Sequence, residues 1–137
     1  MVETMDEKTK EMLSMSGISV SPLLEKIRTG GGMEAEKKFF AELRRLPDDG
    51  RFEAFSSALL AGDMEQVLQL AYELESRFRR VYAERLCTLF SRQIVLIMEG
   101  HWDLSIEMMP EIFTEYKYLA TTIRKYLHGE PPAPENT

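Results

Sequence analysis

The stretch DMEQVLQLAYELESRFRRV, Asp63 to Val81, decides the fold, because its periodicity admits one structure and its two sides ask for different surroundings. Val67, Leu70, Ala71, Leu74, Phe78 and Val81 fall on one side of an α-helix at about 100° per residue, a stripe wide enough to face a bundle core. Asp63 is placed to cap the helix, Gln66 to complete a capping box with it, and Gly62 to close the segment before. On the other side Glu65, Leu68, Tyr72, Glu75, Ser76 and Arg79 form a mixed row that faces water, with Leu68 and Tyr72 one turn apart.

Helical patterns continue toward the N-terminus. Asp49 is placed to cap a helix in which Phe52, Phe55 and Leu59 repeat and which Gly62 ends. Pro47 ends another, Met33 to Leu46, whose stripe is Ala35, Phe39, Leu43 and Leu46, with Glu34 and Glu36 favouring its first turn. Before it, Ser21 is placed as a cap with Pro22 at the first helical position, Leu23, Leu24 and Ile27 point inward, and Gly30-Gly31-Gly32 makes a hinge or turn. That glycine run has no strand before it and no Gly-Lys-Ser/Thr after it, so it is not a phosphate loop. Residues 1–16 offer Thr4-x-x-Glu7 as a capping box and Met5, Met12 and Leu13 as sparse anchors, which fits a short helix packed across one end of a bundle or a frayed arm.

Toward the C-terminus, Ala83 to Met98 places Leu86, Phe90, Gln93, Ile94 and Ile97 on one face, widened by Leu89, Val95 and Leu96. A helix apolar nearly all round is buried or contacts a partner. Gly100 breaks it, and Asp103 is placed to cap a last helix with the stripe Met109, Ile112, Phe113, Tyr116, Leu119, Ala120, Ile123 and Leu127. Pro110 inside that span predicts either that the helix begins near it or, as the favoured reading, a kink near its start. Residues 129–137 read as a flexible Pro-rich tail whose Pro131 and Pro134 lack the flanking basic residue of a polyproline ligand.

No sustained period-two alternation and no hairpin dipeptide between apolar runs occurs, so the expected class is all-α. Short connections predict an up-down antiparallel four-helix bundle with additional N-terminal helices, divided as an arm or short helix over 1–16, a bundle over 17–128 and a tail over 129–137. A composition 44% hydrophobic and 29% charged is that of an ordinary globular domain, and a net charge of −6 argues against nucleic acid as the main partner. The longest apolar run, Ile94 to Met98, is far short of the roughly 20 residues of a membrane span. A lone cysteine, Cys87, and no N-terminal signal pattern point to the cytoplasm, with Cys87 as a packing residue.

The segment Ala61-Gly62-Asp63, the helix carrying Ala71-Tyr72-Glu73-Leu74-Glu75-Ser76, and the following Tyr82-Ala83-x-x-Leu86 resemble the histidine-containing phosphotransfer (Hpt) domain over roughly Ser16 to Leu127. That family's motif is Ala-His-x-Leu-Lys-Gly followed by Gly-Ala-x-x-Leu, and its histidine accepts and hands on a phosphoryl group. Here Tyr72 stands at the histidine position, Glu75 at the phosphate-neighbouring lysine, Ser76 at the small glycine and Tyr82 at the second glycine. The resemblance implies an Hpt-like bundle in bacterial-type two-component signalling, with a response-regulator receiver domain or a histidine kinase as partner. The phosphotransfer chemistry does not carry over, because a phenol is a poor nucleophile at neutral pH and a carboxylate repels an incoming phosphoryl group.

The expectation is a non-catalytic docking module, monomer or weak dimer, without cofactor or metal, whose partner surface is Leu68, Tyr72, Glu75, Ser76, Arg79 and Glu65. Tyr72 also reads as an exposed residue without a role. Two alternatives stay open: a helical assembly or dimerisation module, and an active phosphotransfer protein using His101 or His128. His128 near a helix C-terminus is explained by the dipole alone, and two histidines with one cysteine do not make a zinc site. Arg77, Arg79 and Arg80 form a basic cluster, read as a solvated face balancing Glu73, Glu75 and Glu84 or as a site for a phosphate or acidic surface.

Overall fold

The computed structural model describes residues 5–48 and 50–126. They form α1 (Glu7–Met15), α2 (Val20–Thr29), α3 (Met33–Arg45), a 3-10 turn at Leu46–Asp48, α4 (Arg51–Ala61), α5 (Met64–Arg80), α6 (Glu84–Met98), α7 (Trp102–Glu107) and α8 (Met109–Tyr126). The described residues are all-α, with one isolated β-bridge between Ile18 and Ala83.

The stripe of α5 is buried throughout: Val67, Leu70, Ala71, Leu74, Phe78 and Val81 all lie in the core. Its partners are aromatic. Phe78 stacks on Phe90 of α6 at 5.7 Å, Phe90 meets Phe55 of α4 edge-on at 5.2 Å, and Tyr116 of α8 stacks on Phe52 of α4 at 3.9 Å. Four helices thus share one aromatic core, in offset and edge-on arrangements that add to the hydrophobic gain of burying the rings.

The junction from α4 to α5 is tightly wired. Gly62 takes the left-handed φ of 73°, its N–H closes on the Leu59 carbonyl at 3.1 Å, and the Asp63 N–H reaches back to the Ala58 carbonyl at 3.0 Å. The Asp63 carboxylate meanwhile accepts from the Gln66 N–H at 3.2 Å, so the cap on α5 is as expected. The reciprocal half of the capping box is not available to Gln66, since the donor it needs is already spent in ending α4.

Residues 5–16 are not a frayed arm. Asp6 caps α1 by accepting from the Thr9 N–H at 2.8 Å, Leu13 is fully buried and Met5 nearly so. Arg85 of α6 donates to the Met15 carbonyl at 3.0 Å and pairs with Glu115 of α8 at 3.6 Å, tying the end of α1 to two other helices.

Several boundaries differ from expectation. The N-cap of α2 is Ser19, not Ser21, and its side chain makes no capping bond. The Ser19 N–H donates to the Tyr82 carbonyl at 2.8 Å beside the Ile18–Ala83 bridge, which fixes where the chain enters the helix. Pro22 then lies further inside the first turn, where its missing N–H is equally harmless. Asp103 lies within α7, whose N-cap is His101, and the region around Pro110 is a break rather than a kink, with α7 ending at Glu107 and α8 starting at Met109. Proline in the first turn of α8 loses no helical bond.

Phe113 is the one residue of the last stripe among the described residues that is largely exposed, at 57%, although it stacks on Phe52 at 5.7 Å. It lines an open groove of about 820 Å³ between α4 and α8, while α8 packs on α6, α7 and α3. The proposed cap Asp49, the stripe residue Leu127, His128, Thr4 and the tail lie outside the described residues.

Candidate functional site

The outward row of α5 runs alongside α6. Contacts step down α5 as they step up α6, from Glu75 with Cys87 and Ser91 to Tyr72 with Met98, so the two helices are antiparallel. Glu65, Ser76 and Arg79 are exposed and Tyr72 is 47% exposed, as the row predicts. Leu68 and Glu75 depart from it. Leu68 is half-buried and packs on the core, so its flank of α5 is covered where an isolated helix would leave it in water.

Glu75 turns toward α6. Its side chain is only 14% exposed, accepts a hydrogen bond from the Ser91 hydroxyl of α6 and pairs with Arg79 at 3.0 Å. It is therefore a structural clasp between α5 and α6, not a rim residue. The pair also occupies Arg79, whose guanidinium supplies the charge that a partly buried carboxylate needs. Beneath it the Cys87 thiol donates to the Glu75 carbonyl at 3.6 Å. Burial, with Glu75 and Glu84 nearby, pushes the Cys87 thiol up to about 11 against the opposing effect of Arg79, so it stays protonated and unreactive at neutral pH.

The neighbouring helix contributes residues the row alone does not show. Met98 is 65% and Val95 50% exposed, and the Tyr72 hydroxyl donates to the Met98 sulfur at 3.4 Å. Val95 and Met98 lie one turn apart on α6, next to the turn that carries Ser91. Tyr72, Val95 and Met98 thus make a two-helix apolar strip, with the Glu75–Arg79–Ser91 clasp at one end. The near-continuous apolar circumference of α6 is the signal that points to it. A thioether is a weak acceptor, so this hydrogen bond holds the Tyr72 hydroxyl only loosely.

The basic cluster is divided among helices. Arg79 pairs within α5, Arg80 pairs with Glu42 of α3 at 3.2 Å, and Glu73 turns to Arg51 of α4 at 3.0 Å. Arg79–Glu75 is a pair of the kind expected along the helix. His101 is exposed in the turn between α6 and α7, as the N-cap of α7. Among the described residues no group of three or more His, Cys, Asp or Glu is placed to hold a metal ion, and no helix is long and apolar enough to cross a membrane. Comparison of the chain with protein-family models, with curated proteins and with solved structures gives no match.

Proposed function

We propose that the chain is an Hpt-like bundle without a phosphoryl acceptor, which docks a receiver or histidine-kinase domain as a non-catalytic module of two-component signalling. On this reading α4, α5, α6 and α8 form the antiparallel up-down four-helix bundle, with α1 to α3 packed around it. The observation that carries the reading is Tyr82, whose φ of 61° is the single positive value at a non-glycine among the described residues. It falls where the family motif has its second glycine, so the backbone keeps a glycine conformation after the glycine is gone. Tyr72, at the histidine position, supports docking by its exposure beside Val95 and Met98. Glu75, at the lysine position, is clasped to Arg79 and Ser91, which engages the one cation of that row.

The test is calorimetry of receiver domains against the wild type and a Tyr72→Ala, Met98→Ala double variant, with a labelled phosphodonor incubated in parallel. Leu68 is left intact because it packs on the core. Truncating two central contacts should cost about 2 kcal/mol, roughly thirtyfold in affinity, and no acid-labile label should form. Equal binding by both proteins would move the docking face elsewhere, and acid-labile label on His101 would restore phosphotransfer. The exposure of Val95 and Met98 favours one second reading, a self-assembly module. A dimer in sedimentation that the same double variant dissociates, with no receiver bound, would establish it.

A further inference from the structure

A second surface adjoins the α5/α6 strip and does not rest on its reading. Because α5 and α6 are antiparallel, the start of α5 and the end of α6 lie at one end of the pair, and the short links at 62–63 and 99–101 bring the end of α4 and the start of α7 to the same place. Apolar side chains stand open there on all four helices. Leu60 of α4 is 89% exposed, Met64 of α5 45% and Leu104 of α7 47%, beside Met98 at the last position of α6. A single exposed leucine is ordinary on a protein surface, but open apolar groups at four helix ends that meet mark an interaction surface.

Charge is segregated to this end as well. Residues 52–76 and 93–116, the spans that build it, hold ten Asp or Glu and no Lys or Arg, with His101 their only histidine. Asp63, Glu65, Glu99 and Asp103 stand next to the apolar groups in the chain, and none of them is in an ion pair among the described residues. Three of the four suit their helices: Asp63 caps α5, and Glu65 and Asp103 lie in first turns, where the dipole favours a carboxylate. Glu99 does not. It is the C-cap of α6, where the dipole disfavours it. Neither α6 nor α4 carries a basic residue in its last turn, whereas α2, α3, α5 and α8 all do. Two helices therefore end here without a cation of the chain's own, and cations from a partner would be favoured at both.

The same features select the partner. A negative end repels the phosphates of nucleic acid and of anionic lipid, and it repels the same end of a second copy. Head-to-tail contact with a second copy would draw on cations at the far end of α5 and α6, yet Arg79, Arg80 and Arg85 there are paired with Glu75, Glu42 and Glu115. The described residues offer no strand whose edge an extended peptide could join. What remains is the face of a helix, apolar along its middle and basic on its flanks, for which Met64 and Met98 make an adaptable seat.

We propose that this end docks a basic amphipathic helix of a partner protein, through the apolar Leu60, Met64, Met98 and Leu104 and the carboxylates Glu65, Glu99 and Asp103. The experiment titrates the full chain with a leucine–lysine peptide of about 18 residues that forms one amphipathic helix, with the same peptide carrying Glu for every Lys, and with a scrambled leucine–lysine peptide that has no apolar face. Calorimetry reads the affinity and backbone amide shifts read the location. The amphipathic lysine peptide should bind about tenfold more tightly than either control, lose affinity as salt rises, and shift amides at 60–65 and 98–104. A Leu60→Ser, Leu104→Ser double variant should lose about tenfold in affinity. Glu99→Lys should lose about threefold while melting no lower than the wild type, because a lysine suits the end of α6, so that loss is not one of folding. No binding by the lysine peptide, equal binding by either control, shifts confined to other residues, or unchanged affinity in either variant would each overturn the proposal. So would a dimer of the free chain in sedimentation that the leucine variant dissociates, which would assign this end to a second copy.

Discussion

Phe90 sits where three helices meet, fully buried, stacked on Phe78 at 5.7 Å and edge-on to Phe55 at 5.2 Å. Phe90→Ala removes the whole ring from that junction. Truncating a buried phenylalanine commonly costs about 3–5 kcal/mol, and each aromatic pair adds roughly 0.5–1.5 kcal/mol beyond area, so a loss of about 4–5 kcal/mol is expected here. An unfolding entropy of about 2.1 cal/mol/K per residue over 137 residues converts this to a fall of roughly 15 °C in melting temperature. Urea and thermal denaturation followed by far-ultraviolet circular dichroism would measure both quantities. Val95→Ala, on the half-exposed face of the same helix, is the control and should stay within about 0.5 kcal/mol. A loss below about 1 kcal/mol at Phe90, or similar losses at both sites, would refute a single aromatic core shared by α4, α5 and α6.

The raised Cys87 pKa makes stability depend on alkaline pH. The unfolded thiol ionises first, near its ordinary value of 9.0, while the folded thiol holds its proton to about 11, so stability should fall as pH rises through that window and level off above it. Because Cys87 is only partly buried the fall should be modest, and Cys87→Ala should flatten it in urea titrations between those pH values. Arg85→Ala removes the bonds to Met15 and Glu115, so amide hydrogen exchange in α1 should accelerate more than tenfold while exchange in α5 and α6 changes little. Equal acceleration everywhere would mean that α1 opens only with the whole bundle.

The core was legible because burial follows period. The stripes of α5 and α6 place Leu74, Phe78, Phe90 and Ile94 inside, and the structure agrees. What the pattern could not carry is the identity of the neighbour on each flank. Glu75 and Leu68 look solvent-facing on an isolated helix, yet Glu75 is held by Ser91 of α6 and Leu68 packs on the core, and Phe113 looks internal but lines the open groove beside Phe52. Caps were partly legible. Asp63 has no competitor for the start of α5, whereas Ser19 and Ser21 are equally good chemically and a long-range bond to Tyr82 chooses between them. The left-handed Tyr82 has no local signal, since tyrosine is not a residue of that conformation.

Asp63 works in two directions at once, its amide finishing one helix and its carboxylate starting the next. A junction with no spare residue behaves as a gear. Adding or removing one residue there would turn α5 by about 100° relative to α4, carrying Phe78 off the aromatic core and Tyr72 away from Met98 together. The azimuth of the exposed strip is therefore set by the same few hydrogen bonds that set the core, and length changes that conserve it must fall outside 58–66.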